Sequence, residues 1–320
     1  MKFEYKTHCT YNSMVKRFQN KISESRFLLA TVAVITVLIW LASGPLTPKT
    51  AINLAAIAVT AYFLVELDTR NSIIRIYSRM IPCSYLILST MTGAFVNETY
   101  IFTGLLWTFF LLFLFSSYQD KYASGRVFYA FLFLGLASLM FVQILFFVPL
   151  IWFVMRTNLM SLSRKTFPAS IIGFILPYWF LCGYLLMKGD LSYFVNHFSQ
   201  LGVFCTPFDL SVLGIHEYVT VGFLILLSLT GIVHYMRNSN KDKIRTRMFC
   251  EMIISTNLFV ILFILLQPVN YFPLLAIMVM TTSVLISHYI VLTNTKLTNR
   301  SVYLIIAAVA AVTTYNLWIS

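Results

Sequence analysis

Acidic residues are scarce in this sequence: 11 Asp and Glu stand against 23 Lys and Arg, and charged residues of both signs make up 11% of its 320 positions. A soluble core of this size needs a far more charged surface. No acidic or basic residue falls in the middle of an apolar stretch, which argues against a proton-coupled transporter or ion pump, whose paths carry such groups. The five cysteines are odd in number and form no C-x-x-C, so neither a redox nor a zinc motif is present. Of the five histidines, His8 lies in the basic N-terminal arm, His197 and His216 near one membrane face, and His234 and His288 near the other. At most two share a level, too few for an iron held by several imidazoles. No metal and no cofactor is expected. Ten-residue alternation is also missing, which excludes a transmembrane β-barrel. No interval between apolar stretches is long enough for a soluble nucleic-acid-binding domain.

What is present is hydrophobicity, at 59% of residues and a mean hydropathy of +0.82. Residues 1–26 read as a basic cytoplasmic arm, too long and too polar for a cleaved leader, so the first apolar stretch is expected to be a retained anchor. Residues 27–320 read as one all-α transmembrane helix bundle. Spans are expected at Phe27–Ser43, Ala51–Glu66, Met80–Phe95, Tyr100–Ser116, Pro168–Leu186, Tyr218–Tyr235, Phe249–Leu266, Tyr271–Leu292 and Val302–Ile319. The uncharged stretch Val127–Met155 is either one long tilted helix or two short ones turning near Met140–Gln143. The bias of Lys and Arg toward cytoplasmic loops decides between them. With two helices, every Lys and Arg except Lys49 and Lys188 lies on one side; with one helix the two sides are nearly even. The expectation is therefore about eleven spans, the N-terminus cytoplasmic and the C-terminus periplasmic. Segment 187–217 reads as an outer-face interfacial piece, with Leu191, Phe194, Val195, Phe198 and Leu201 at helical spacing opposite Ser192, Asn196, His197 and Ser199.

The candidate site residues fall into three groups. Glu66, Asp68, Arg70, Arg75 and Arg79 mark the cytoplasmic boundary after the second span, as salt-bridged anchors or as a site for an anionic lipid headgroup. Glu98 and Asp209, with Asp190 and Glu217, are the carboxylates of the outer side. Asn257, Thr281 and Asn316 represent neutral polar clusters inside spans, expected to hydrogen-bond helix to helix or to line a polar cavity. Cys182 and Cys205 both lie toward the outer face, as two separate thiols or as a pair.

Two stretches carry a resemblance. The run Leu64-Val65-Glu66-Leu67-Asp68-Thr69-Arg70-Asn71, continuing through Arg75, Arg79, Pro82 and Tyr85–Ser89, resembles an uncharacterised polytopic membrane family of Bacteroidota. The second is Phe115-Ser116-Ser117-Tyr118, then Gly135-Leu136-Ala137-Ser138-Leu139 and Leu176-Pro177-Tyr178. Both stretches carry that family likeness, and the Gly135–Leu139 hairpin, with the basic turn and further span after it, is also similar to the membrane core of GT-C glycosyltransferases, which take sugars from polyprenyl-phosphate donors at the outer face. That resemblance implies a GT-C-like arrangement with a short re-entering helix pair. GT-C enzymes commonly carry a catalytic acid in the first outer loop; here Gly44–Thr50 has none, so Glu98 or Asp209 would have to serve. The leading functional expectation is a non-catalytic or lipid-binding component of envelope or glycan biogenesis in a bacterial inner membrane. Its partners would be membrane lipids, a polyprenyl-linked glycan or an envelope-biogenesis protein, with no nucleic acid. The alternatives are a GT-C-like transferase, or a transporter or flippase, for which no internal repeat speaks.

Overall fold

The computed structural model describes residues 17–44, 47–189, 192–203, 212–293 and 295–319. Among these every regular element is helical: α1 (Phe18–Ser23), α2 (Leu28–Ser43), α3 (Pro48–Asn71), α4 (Met80–Met91), α5 (Glu98–Ser116), α6 (Ser124–Met140), α7 (Phe147–Thr157), α8 (Thr166–Lys188), α9 (Ser192–Ser199), α10 (Ile215–Asn238), α11 (Ile244–Leu266), α12 (Tyr271–Leu292) and α13 (Lys296–Ile319). Helices α3, α5, α8 and α10 to α13 are long and apolar enough to cross a membrane. They make this a multi-pass membrane protein. The apolar helices α2, α4, α6 and α7 are shorter. The 12 residues of α4 rise only ~18 Å against a hydrocarbon core of ~30 Å.

Local sequence explains several boundaries. α3 begins where Thr47 and Thr50 cap each other ahead of Pro48, and α5 where the Asn97 side chain accepts from Tyr100 N–H at 3.1 Å. α8 stops at Gly189, whose φ of +72° places it in the left-handed region. α3 runs five residues past the expected Glu66, so Glu66, Asp68 and Arg70 ride on its last turns and not in a loop.

The uncharged stretch after Val127 breaks at Phe141, between α6 and a 3-10 turn over Val142–Phe146 that leads into α7. The chain reverses there, because Gln119 N–H donates to Leu159 O at 2.8 Å and Ser163 Oγ to Lys121 O at 2.7 Å, joining the start of α6 to the end of α7. Contacts elsewhere sort the connections into two ends. At one end Ser78 Oγ donates to Ser23 O, Gln19 reaches Thr293, and Thr246 reaches Ser72. At the other end Asn53 donates to Phe95 O and Asn316 to Met91 O. The described lysines and arginines, apart from Lys49 and Lys188, belong to the first end.

α12 is the axis of the bundle: 94% of its most apolar window is buried, against 17% for α13 on the rim. It has no polar face, as a helix packed on all sides requires, and α4, α5, α10 and α11 wrap it. α6 and α8 pack backbone against backbone. A Cβ on Gly135 would lie 2.5 Å from Phe174 O, and one on Gly173 would run into Phe128 O. Small residues let the backbones touch where lipid offers no hydrophobic drive for association.

Candidate functional site

The five boundary residues do not act as one cluster. Glu66 pairs with Arg70 one turn on, an exposed contact worth a few tenths of a kcal/mol at most. Asp68 turns to its own connection, where Oδ1 accepts Ile74 N–H at 3.1 Å and fixes the turn after α3. Arg75 reaches across the charged end, lying 3.7 Å from Asp242 Oδ1 and donating to Lys241 O at 3.3 Å. Arg79 sits over the Tyr77 ring, 5.1 Å from its centroid.

Asp242 and His288 are the pair that sequence reasoning passed over. Both side chains are only 2% exposed, and His288 Nε2 lies 3.1 Å from Asp242 Oδ2, tying the α10–α11 connection to α12. The His234 ring stands 5.5 Å from that of His288. The available signal was Asp242 itself, the single acid between Arg237 and Arg247 among five cations.

A groove opens at this end between α2 and α3. α2 packs on α4, and α3 on α4 and α5, so α4 floors a gap of about 450 Å³. Arg26 and Arg79 stand at its charged end, and apolar side chains from Leu29 to Trp40 line ~16 Å of it along α2. Across the gap Ala58 and Ala61 are too small to fill it. The arrangement is an apolar trough with two guanidinium groups at one mouth, suited to a hydrocarbon chain ending in an anion.

The outer-end carboxylates are placed differently. Glu98 opens α5 and pairs with Lys49 Nζ at 3.0 Å, both side chains at least half exposed. The adjacent cavity, walled by Trp40, Gly44 and Phe95, carries no acid among the described residues. Glu217 caps α10 by accepting Gly214 N–H at 2.9 Å. Asp209, Asp190 and Cys205 lie outside the described residues.

Among the neutral polar residues, Asn257 and Thr281 come together: the Asn257 amide donates to Thr281 Oγ1 at 2.9 Å and to Thr282 Oγ1 at 3.2 Å, joining α11 to α12. Asn316 is elsewhere and donates to Met91 O at 2.7 Å and Thr220 Oγ1 at 2.9 Å. Met91 ends α4, and the last four carbonyls of any helix lack intrahelical partners. A short helix ending inside the bundle therefore needs donors from its neighbours.

His197 meets the same need for α6. The expected outward, polar placement of this residue is corrected: His197 is buried, with Nε2 3.0 Å from Ser138 O and 3.3 Å from Tyr178 OH. α9 turns Phe194, His197 and Phe198 inward and leaves Val195 exposed. The polar side chain points in because the C-terminal carbonyls of α6 await a donor there. Among the described residues no three His, Cys, Asp or Glu side chains gather as metal ligands.

The chain matches no protein-family profile, no curated protein and no solved structure.

Proposed function

We propose that the chain is a non-catalytic, lipid-binding component of a bacterial inner membrane, serving envelope or glycan biogenesis, with the α2–α3 groove as its lipid site. The groove carries this reading: an apolar trough ends at Arg26 and Arg79, so hydrocarbon and anionic headgroup each find their own environment. The test is native mass spectrometry on the purified chain titrated with anionic and zwitterionic lipids. Arg26→Gln with Arg79→Gln is expected to weaken anionic-lipid binding about tenfold, near the loss of one charge-assisted hydrogen bond, and Ala61→Phe to block the trough. Unchanged binding in both variants would remove the groove from consideration.

The proposed topology has about eleven crossings, with the N-terminal arm cytoplasmic and the C-terminal end periplasmic. It is supported by the collection of cations at one end and by the donors that serve the ends of α4 and α6. Reporter fusions are expected to place Gln143 outside and the α7–α8 connection ending at Lys165 inside; the opposite pattern refutes the arrangement.

The resemblance to the Bacteroidota family and to GT-C cores enters as an architectural parallel, since a shared fold does not carry a shared activity. The transferase alternative needs Glu98 or Asp209 free to act, and Glu98 is engaged by Lys49. A transporter or flippase needs a continuous polar path, whereas Asn257, Thr281 and Asn316 are engaged helix to helix or at a helix end.

A further inference from the structure

A second cavity, of about 770 Å³, opens at the charged end between α3 and α6, with α5 as its floor. Three arginines from three helices line it: Arg70 near the end of α3, Arg126 in the first turn of α6, and Arg245 in the first turn of α11. Each uses one side-chain nitrogen in its hydrogen bonds. Arg70 Nε goes to Glu66; Arg126 Nη1 donates to Ser116 O at 2.7 Å and lies 3.6 Å from Asp120; Arg245 Nη2 donates to Asn71 Oδ1 at 2.9 Å. Neither Glu66 nor Asp120 lines the cavity. A guanidinium has five donors, so most remain available to an occupant.

Arg245 is the informative member. It has no carboxylate partner among the described residues and is held over the rings of Phe249 and Tyr118, at 5.3 and 5.7 Å from their centroids. It also adds positive charge where the helix dipole is already positive, beside Lys243 and Arg247, with no acid in the first turn and no capping side chain. α6 also opens with no acid in its first turn and no capping side chain, although Arg126 there lies 3.6 Å from Asp120. Asp242, just ahead of α11, turns to Arg75 and His288 and does not line the cavity, so Arg245 is left for an anionic occupant to complete. From the arginines the wall continues as stacked rings, Phe109 on Phe133 at 4.9 Å and Phe113 on Phe133 at 5.6 Å. An inorganic anion has no use for that wall; a hydrocarbon tail does.

We propose that this cleft binds a membrane lipid whose headgroup is a terminal phosphate. Such a group carries about −1.5 to −2 charge near neutral pH and three free oxygens to match three guanidinium groups. A phosphodiester headgroup offers one charge and two free oxygens. The proposal rests on a different cavity and different arginines from the α2–α3 groove, so either can fail alone.

The experiment is native mass spectrometry on the full chain in detergent, titrated with phosphatidic acid, phosphatidylglycerol and phosphatidylcholine. Phosphatidic acid is expected to bind about tenfold tighter than phosphatidylglycerol. Arg245→Gln should weaken phosphatidic acid about tenfold while Arg245→Lys, which keeps the charge, recovers part of the loss. A phosphatidic acid with a photoreactive tail should label residues 109–133. Three results overturn the proposal: equal binding of the three lipids by the unaltered chain, labelling confined to α2 and α4, or displacement of phosphatidic acid by millimolar inorganic phosphate, which would assign the arginines to the free anion. None of the three needs a variant, so a misfolded substitution cannot shield the idea.

Discussion

Gly173→Ala is expected to destabilise the bundle by about 2 kcal/mol or more, while Gly183→Ala, ten residues along the same helix, leaves it unchanged or slightly more stable. Both glycines sit inside α8, where alanine is the better helix former by nearly 1 kcal/mol. The sign differs because of what the new methyl group meets. At Gly183 there is nothing within 4 Å, whereas at Gly173 the obstacle is the backbone carbonyl of Phe128, which cannot rotate away as a side chain would. Gly135→Ala, aimed at Phe174 O from the facing helix, should repeat the loss. Thermal unfolding in detergent reads all three. Equal melting temperatures for the Gly173 and Gly183 variants would mean that α6 and α8 do not meet backbone to backbone.

Asp242→Ala should cost about 3 kcal/mol, in the range for removing one partner of a buried pair. His288 already has an unpartnered Nδ1, and losing the carboxylate strips Nε2 of its contact as well, leaving a buried ring with no hydrogen bond. Arg75 loses its ion pair in the same change. The double replacement Asp242→Leu with His288→Phe should recover much of the loss, since removing both partners leaves no orphaned polar group. The measurement is again unfolding in detergent, with the starting protein, Asp242→Leu, His288→Phe and the double variant forming a cycle. A single variant within 0.5 kcal/mol of the starting protein would show that the pair contributes little.

Helix positions were legible in the sequence because apolar runs and turn residues mark them, and the break after Met140 was legible because cations segregate only if the chain turns there. Helix length was less so. Hydropathy extends α4 to Phe95, but the chain leaves the helix at Met91 and takes a positive φ at Gly93. The polar partnerships were hidden for a different reason. Asp242 and His288 are 46 residues apart, and neither position betrays that α12 passes beneath the α10–α11 connection. His197 was misplaced because a helical wheel ranks residues by hydropathy and knows nothing of carbonyls left open on another helix. Both arginine-bearing cavities were illegible too. Arg70 and Arg79 were visible as boundary cations, but a cavity forms where two helices fail to touch, and α2 from α3, or α3 from α6, is separated only by the arrangement of all the others.

The enclosure of α12 bears on the order in which the chain is assembled. α4, α5, α10 and α11 are all synthesised before it, yet the faces that Ser84 and Asn257 present belong against residues not yet made, Ser287 and Thr281. During translation these helices enclose a vacancy or stand apart with polar groups turned toward lipid. The native ring can therefore close only once residues 271–292 have been made, and α13, packed outside against α4 and α10, comes after them in the chain.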